Sequence, residues 1–168
     1  VDTMVGEIRR SFEKNPVKIL ENAIQSANRQ LREKAAEDPK LFGMGTTVVA
    51  ATLIGRYLQV ANVGDSRLYV IDDQIRQITR DHSLVEEMIS LGEIDRKDAR
   101  THEQKNIITR AMGASDPVIA DFFPVDIKPG DRIVMCSDGL SNMIEDNVIK
   151  QIVKKNNSIE DAAAELMQ

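Results

Sequence analysis

The sequence predicts an α+β domain, and three observations carry that reading. Apolar residues recur at helical spacing before residue 40 and again after residue 145, strand-like runs fill Thr46 to Thr79, and the two kinds of segment do not alternate as βαβ units. The first segment, VDTMVGEIRRSF, places Met4, Val5, Ile8 and Phe12 on one helical face with no capping residue ahead of it. Asn15 followed by Pro16 is a cap and first-turn signal. Leu20, Ala23, Ile24, Ala27 and Leu31 then form the stripe of a long amphipathic helix that stops before Asp38-Pro39. From Thr46 the pattern becomes TTVVAATLI, a tight Gly55-Arg56 turn, YLQVANVG, RLYVID, an Asp72-Asp73 turn and QIRQIT, which is an antiparallel meander. Ser83 and Glu86 form a capping box for SLVEEMISLG, with Gly92 ending the helix, and a short helical piece follows around Arg96 to Thr101. NIITRAM and VIADFFPVDI read as further strands. Pro129-Gly130 turns the chain into IVMCSDGLSN, and helices from about Glu145 to Lys154 and from Ile159 onward, capped by Ser158, complete it.

Composition narrows the function. With 168 residues, 42% of them hydrophobic, the chain can bury the core of a single domain. A net charge of -5 gives no basic field to draw it onto nucleic acid or anionic lipid. No apolar stretch approaches the roughly 18 residues of a membrane span, and no signal peptide is read, so a cytoplasmic setting is the default expectation. The lone Cys136 cannot build a disulfide framework and reads as a packed core thiol.

The chemistry centres on two acids. Asp138 directly follows the apolar run Ile133-Val134-Met135-Cys136, and Asp65 sits in a matching setting, Val63-Gly64-Asp65-Ser66, beside another apolar strand. A carboxylate at the mouth of a buried strand must be solvated, paired or bound to a cation. If the two acids shared a site, their repulsion would favour a shared proton or a divalent ion, and an all-oxygen site suits Mg²⁺ or Mn²⁺ better than zinc. Asp beside Gly or Ser is equally ordinary turn chemistry, and spacing leaves both readings open.

Five blocks, Gly45-Thr46-Thr47, Gly64-Asp65-Ser66-Arg67, Asp81-His82-Ser83, Asn106 to Gly113 and Ser137-Asp138-Gly139-Leu140, resemble in order and spacing the bacterial PP2C (PPM) metal-dependent serine/threonine phosphatases. The resemblance covers nearly all of residues 1–168 and implies one domain, a four-layer α-β-β-α sandwich with two antiparallel sheets. It implies Mn²⁺ or Mg²⁺ as cofactor, two central ions with a weaker third, a metal-activated water as nucleophile, and phosphorylated proteins made by a Ser/Thr kinase as substrates. Asp138 would reach toward the central pair and join Asp65 at the third ion. Gly139, Gly64, Ser66 and Arg67 would support the site. Residues 84–104, including Leu84, Gly92 and His102, correspond to the family's flap beside the site.

Two of the family's motifs, an aspartate-glycine pair and a late glycine-glycine-x-aspartate-asparagine, are not found in this chain. The expectation is therefore a domain incomplete at both termini, inactive alone and prone to self-association. A catalytically silent binding or regulatory domain is the alternative. Arg67, directly after Asp65-Ser66, is expected to pair with a neighbouring acid and hold the loop. His82 and His102 read as solvated surface histidines, and the apolar face of Leu84, Val85, Met88 and Ile89 also fits a plain packing helix. Thr46 and Thr47 precede a strand, which argues against a phosphate-cradling P-loop.

Overall fold

The computed structural model describes residues 1–168, and its helices and strands lie close to where the periodicity puts them. Helix α1 spans Asp2–Arg10 and α2 spans Pro16–Glu37. Asn15 caps α2 by accepting hydrogen bonds from the Val17 and Lys18 amides, and Pro16 occupies the first turn, where no amide proton is needed. The strands are β1 (Val48–Ile54), β2 (Tyr57–Val63), β3 (Arg67–Ile71), β4 (Ile75–Gln77), β5 (Asp121–Asp126) and β6 (Arg132–Cys136). Helix α3 is Leu84–Leu91, α4 is the single turn Asp138–Ser141, α5 is Asp146–Lys155 and α6 is Ile159–Leu166.

Two antiparallel three-stranded sheets result, one ordered β1-β2-β5 and the other β4-β3-β6. Strict period-two alternation sorts the side chains of the two central strands. Leu58 and Val60 of β2 meet Leu68 and Val70 of β3 between the sheets, with Val125 of β5. Ala61 and Val63 point the other way, onto Leu20, Ala23 and Ile24 of α2 and Met4 of α1. Tyr69 and Ile71 point away from the first sheet onto Ile149 and Val153 of α5. The layers are therefore α1-α2, first sheet, second sheet, α4-α5-α6, the four-layer sandwich expected. Each fully buried Leu, Ile or Val in these interfaces contributes about 1.5–3 kcal/mol relative to exposure.

Three expectations are corrected. NIITRAM forms no strand: its backbone makes only isolated bridges, Thr46 to Met112 and Ser83 to Ile108, and the buried Asn28 side chain of α2 accepts from the amide of Gly113, the residue that follows it. VIADFFPVDI becomes strand only from Asp121, because Gln25 of α2 bonds both the amide and the carbonyl of Val118 in place of a neighbouring strand. Phe12 lies beyond the end of α1 and is fully exposed, while Met4 alone of that helix is buried.

The contrast between Ile24, wholly buried between α2 and β2, and Phe12 gives a direct stability test. Ile24→Ala is expected to cost about 2–5 kcal/mol and Phe12→Ala less than about 0.5 kcal/mol, read from the midpoints of urea unfolding at constant slope.

Candidate active site

The two central strands are joined by only Gly64, Asp65 and Ser66, so the chain crosses from one sheet to the other in a three-residue corner. Gly64 makes the corner: its φ is +107°, and a Cβ there would overlap Cγ2 of Thr47. Ser66 is buried, with its hydroxyl 2.8 Å from that of Thr47. Arg67, the first residue of β3, forks onto Asp81, with Nε 3.0 Å from Oδ1 and Nη2 2.7 Å from Oδ2. Its Nη1 donates to the Tyr69 hydroxyl, which donates in turn to Asp146. Arg67 thus holds the loop through a neighbouring acid, as its sequence setting suggested.

Asp138 opens α4 directly after β6, and β6 pairs with β3 so that Cys136 lies opposite Arg67. This register brings the end of β6 beside the start of β3, and with it Asp138 toward Asp65. Burial, and then repulsion from Asp138, hold the Asp65 carboxyl above the usual carboxylate range. Asp138 is exposed, and its carboxylate accepts only a long 3.5 Å bond from Asn142 Nδ2. Two carboxylates near enough to repel one another are an arrangement that favours divalent-ion binding. No third His, Cys, Asp or Glu completes a cluster around them. The donor set therefore fits a hard ion held through one or two carboxylates and otherwise through water, the habit of Mg²⁺ and Mn²⁺. Gly139 has no comparable steric need, since a Cβ there would meet only Ser137 Oγ, at 3.4 Å. Burial pushes the Cys136 thiol up to about 11, which leaves it inert.

Residues 84–104 begin at Leu84, the first residue of α3, which Ser83 caps by accepting from the Glu86 amide. Gly92 ends α3 in the left-handed conformation, φ 74°. His102 closes a short 3-10 turn, and its Nδ1 accepts from the Gln104 amide. The stem is tied by Leu84 N–H to the Ile107 carbonyl and Thr109 N–H to the His82 carbonyl. Arg100 then docks on the carbonyls of Asn142 and Ile144, directly after α4. Neither this anchor nor the pairing of Glu86 with both Arg80 and Arg96 was visible as a local signal.

His82 overturns its expected role. It is only 6% exposed and not a solvated surface histidine, because residues 107–109 return to pair with residues 82–84 beside it. Its Nδ1 accepts from the Gly64 amide at 3.0 Å, so the ring proton sits on Nε2, which lies 3.0 Å from Asp121 Oδ2 and 2.9 Å from Arg110 Nη1. Arg110 Nη1 donates to Asp121 Oδ1 at 2.8 Å.

A family model described as protein phosphatase 2C matches residues 4–88. The serine/threonine phosphatase stp of Listeria innocua is 41% identical over 145 residues, covering 86% of this chain and 58% of that protein. The crystal structure of serine/threonine phosphatase Stp1 from Staphylococcus aureus aligns with a TM-score of 0.89 at 39% identity, over 99% of this chain and 69% of that one. A structure of the catalytic domain of serine threonine protein phosphatase PstP in complex with 2 manganese ions aligns at TM-score 0.86 and 26% identity, over 99% of this chain and 69% of that one. The chain belongs to the protein phosphatase 2C family. It spans 58% of the length of the Listeria relative.

The Asp121 cluster sets a pH dependence. Burial opposes ionisation of Asp121, but hydrogen bonds from His82 and Arg110 outweigh it and hold the carboxyl below its ordinary 3.8. A lowered folded-state value adds stability above the unfolded value and loses it as pH falls through the folded one. The stability margin of the native chain over Asp121→Asn is therefore expected to be full at about pH 7 and to shrink progressively below about pH 4, measured by urea unfolding at a series of pH values.

Proposed function

We propose that the protein carrying this chain hydrolyses phosphoserine and phosphothreonine in proteins, with Mn²⁺ or Mg²⁺ at a site that includes Asp65 and Asp138. The observation that carries the reading is the meeting of these two acids at the junction of both sheets in a member of this family. When bound, a divalent ion supplies the Lewis acidity that eases ionisation of a water and offsets charge on the phosphoryl oxygens. Asp138 is held at the end of β6, paired along its length with the central strand β3, and Asp65 on a corner pinned at both ends, so neither carboxylate needs a large rearrangement to meet a cation. The flap, anchored by Arg100 beside α4, is placed to meet the polypeptide around the phosphorylated residue. Residues 84–104 thus act within one domain that includes 1–168.

The substrates in this reading are products of a Ser/Thr kinase. A cytoplasmic setting accords with the net charge of -5 and with the lack of any helix long and apolar enough to cross a membrane. The named phosphatases among the relatives favour an enzyme over a silent binding domain.

The test is phosphate release from a phosphothreonine peptide by the protein that carries this chain. Activity is expected with Mn²⁺ or Mg²⁺ and lost in chelator. Asp138→Ala is expected to lower it by about 100-fold or more and Asp65→Ala by about 10-fold. Activity that survives chelation, or an Asp65→Ala variant more damaged than Asp138→Ala at saturating metal, would count against this assignment.

Self-association follows from a separate observation. Strand β6 is an edge strand, and its Ile133 and Met135 continue the inter-sheet face past β3 into an open groove of about 1320 Å³ with Met143, Ile159 and Met167. An unpaired edge beside apolar surface is a template for strand pairing between copies. The 168-residue chain is expected to form dimers by light scattering, and Met135→Lys to return it to monomers.

A further inference from the structure

Asp81 and His82 are adjacent in sequence, yet they grip opposite ends of the corner that carries Asp65. Asp81 takes the Arg67 guanidinium at the far end. His82 takes Gly64 at the near end twice: its backbone N–H donates to the Gly64 carbonyl at 2.9 Å, and its Nδ1 accepts the Gly64 N–H at 3.0 Å. The Gly64 carbonyl also accepts from Asn62 Nδ2, so that peptide is fixed on both sides. Gln77 donates to Asp81 Oδ1, and Asp121 accepts from His82 Nε2, so each gripping side chain is itself oriented. Between the two grips lie only Asp65 and Ser66, and the Ser66 hydroxyl is held by Thr47.

We propose that Asp81-His82 is a two-point bracket whose task is to present the Asp65 carboxylate, with His82 as a positioning residue that sets the affinity of Asp65 for a divalent ion. This rests on the metal site proposed above and adds the groups that aim it. The physical reason is specific. Asp65 sits midway along a three-residue crossing between two sheets, so an unanchored corner would leave its carboxylate free to turn. The bonds at the Gly64 N–H and carbonyl on one side, and those of the Ser66 hydroxyl and the Arg67 guanidinium on the other, remove that freedom. Groups that orient a metal ligand through one intervening bond typically change metal affinity by about 10–100-fold when lost.

The role needs an acceptor at the Nδ1 position, which separates it from simple packing. In His82→Asn the amide oxygen stands near the place of Nδ1 and keeps the Gly64 bond. In His82→Gln the amide extends toward Asp121 and leaves the Gly64 N–H without its partner. The experiment is titration of the 168-residue chain and its variants with Mn²⁺, followed by electron paramagnetic resonance of the free ion, with hydrogen exchange of the Gly64 amide measured by NMR in the metal-free proteins. The expected result is about 10-fold weaker Mn²⁺ binding and loss of Gly64 protection in His82→Gln, with both retained in His82→Asn. Equal losses in the two variants, or no change in His82→Gln, would overturn the bracket. Asp65→Ala is the control for the underlying site: it should weaken Mn²⁺ binding while Gly64 stays protected. Mn²⁺ binding unchanged in Asp65→Ala would overturn the metal site itself, and with it the assigned role. Should His82→Gln not fold, the unaltered chain decides: a scalar coupling between the Gly64 amide and Nδ1 is expected, and a Gly64 amide that exchanges at the rate of an open loop overturns the proposal.

Discussion

Three residues carry the chain from the middle strand of one sheet to the middle strand of the other, and the whole sandwich is organised around that crossing. Because β2 and β3 are both central, the direction in which Val63 leaves the first sheet sets how the second sheet lies over it. The close approach of Thr47 at Gly64 leaves room for no side chain, and the positive φ turns the backbone where an L residue would be strained. Alternation does the rest. Once the corner sets which residues of β3 face inward, Leu68 and Val70 must join Leu58 and Val60, and Tyr69 and Ile71 must meet α5.

The same corner is where the fold tolerates an electrostatic conflict. Elsewhere the buried and half-buried acids have partners: Asp81 has Arg67, Asp121 has Arg110 and His82, and Glu86 has Arg80 and Arg96. Asp65 instead has burial and a second carboxylate, both of which oppose its charge. Such a local violation, surrounded by well-satisfied neighbours, is the pattern expected of a functional position, where the surrounding structure bears the cost. A cation bound by Asp65 and Asp138, as proposed, would convert the conflict into an attraction.

The second sheet is also asymmetric. On the α5 side Val134 and Cys136 are packed under Leu140, Ile144 and Leu166, while on the opposite side Ile133 and Met135 stand open. The strand that ends at Asp138 therefore has one firm face and one accessible face. Arg132 reinforces the firm side by donating to the Val153 and Asn156 carbonyls at the end of α5.

By itself the sequence determined the elements whose causes are local. Asn15-Pro16, Ser83 with Glu86, Gly92 and Ser158 are caps readable from a few residues, and the stripe of α2 and the alternation of β1 to β3 are fixed by periodicity. Five short blocks were enough to suggest the family and to single out Asp65 and Asp138. What only the tertiary structure decided is everything that depends on a partner distant along the chain. Residues 106–113 and 118–120 look apolar enough for strands, but α2 supplies Asn28 and Gln25 to bond their backbone, and no sequence window spans 85 or 93 residues. His82 reads as a surface imidazole from its loop and helix-edge setting, yet it is buried by a segment that returns more than twenty residues later. Its bond to Gly64 joins residues 18 apart, and that of Arg67 to Asp81 joins residues 14 apart. Propensity and periodicity act over one or two turns of chain, whereas the hydrogen-bond partners of a corner are set by which strands come to lie side by side.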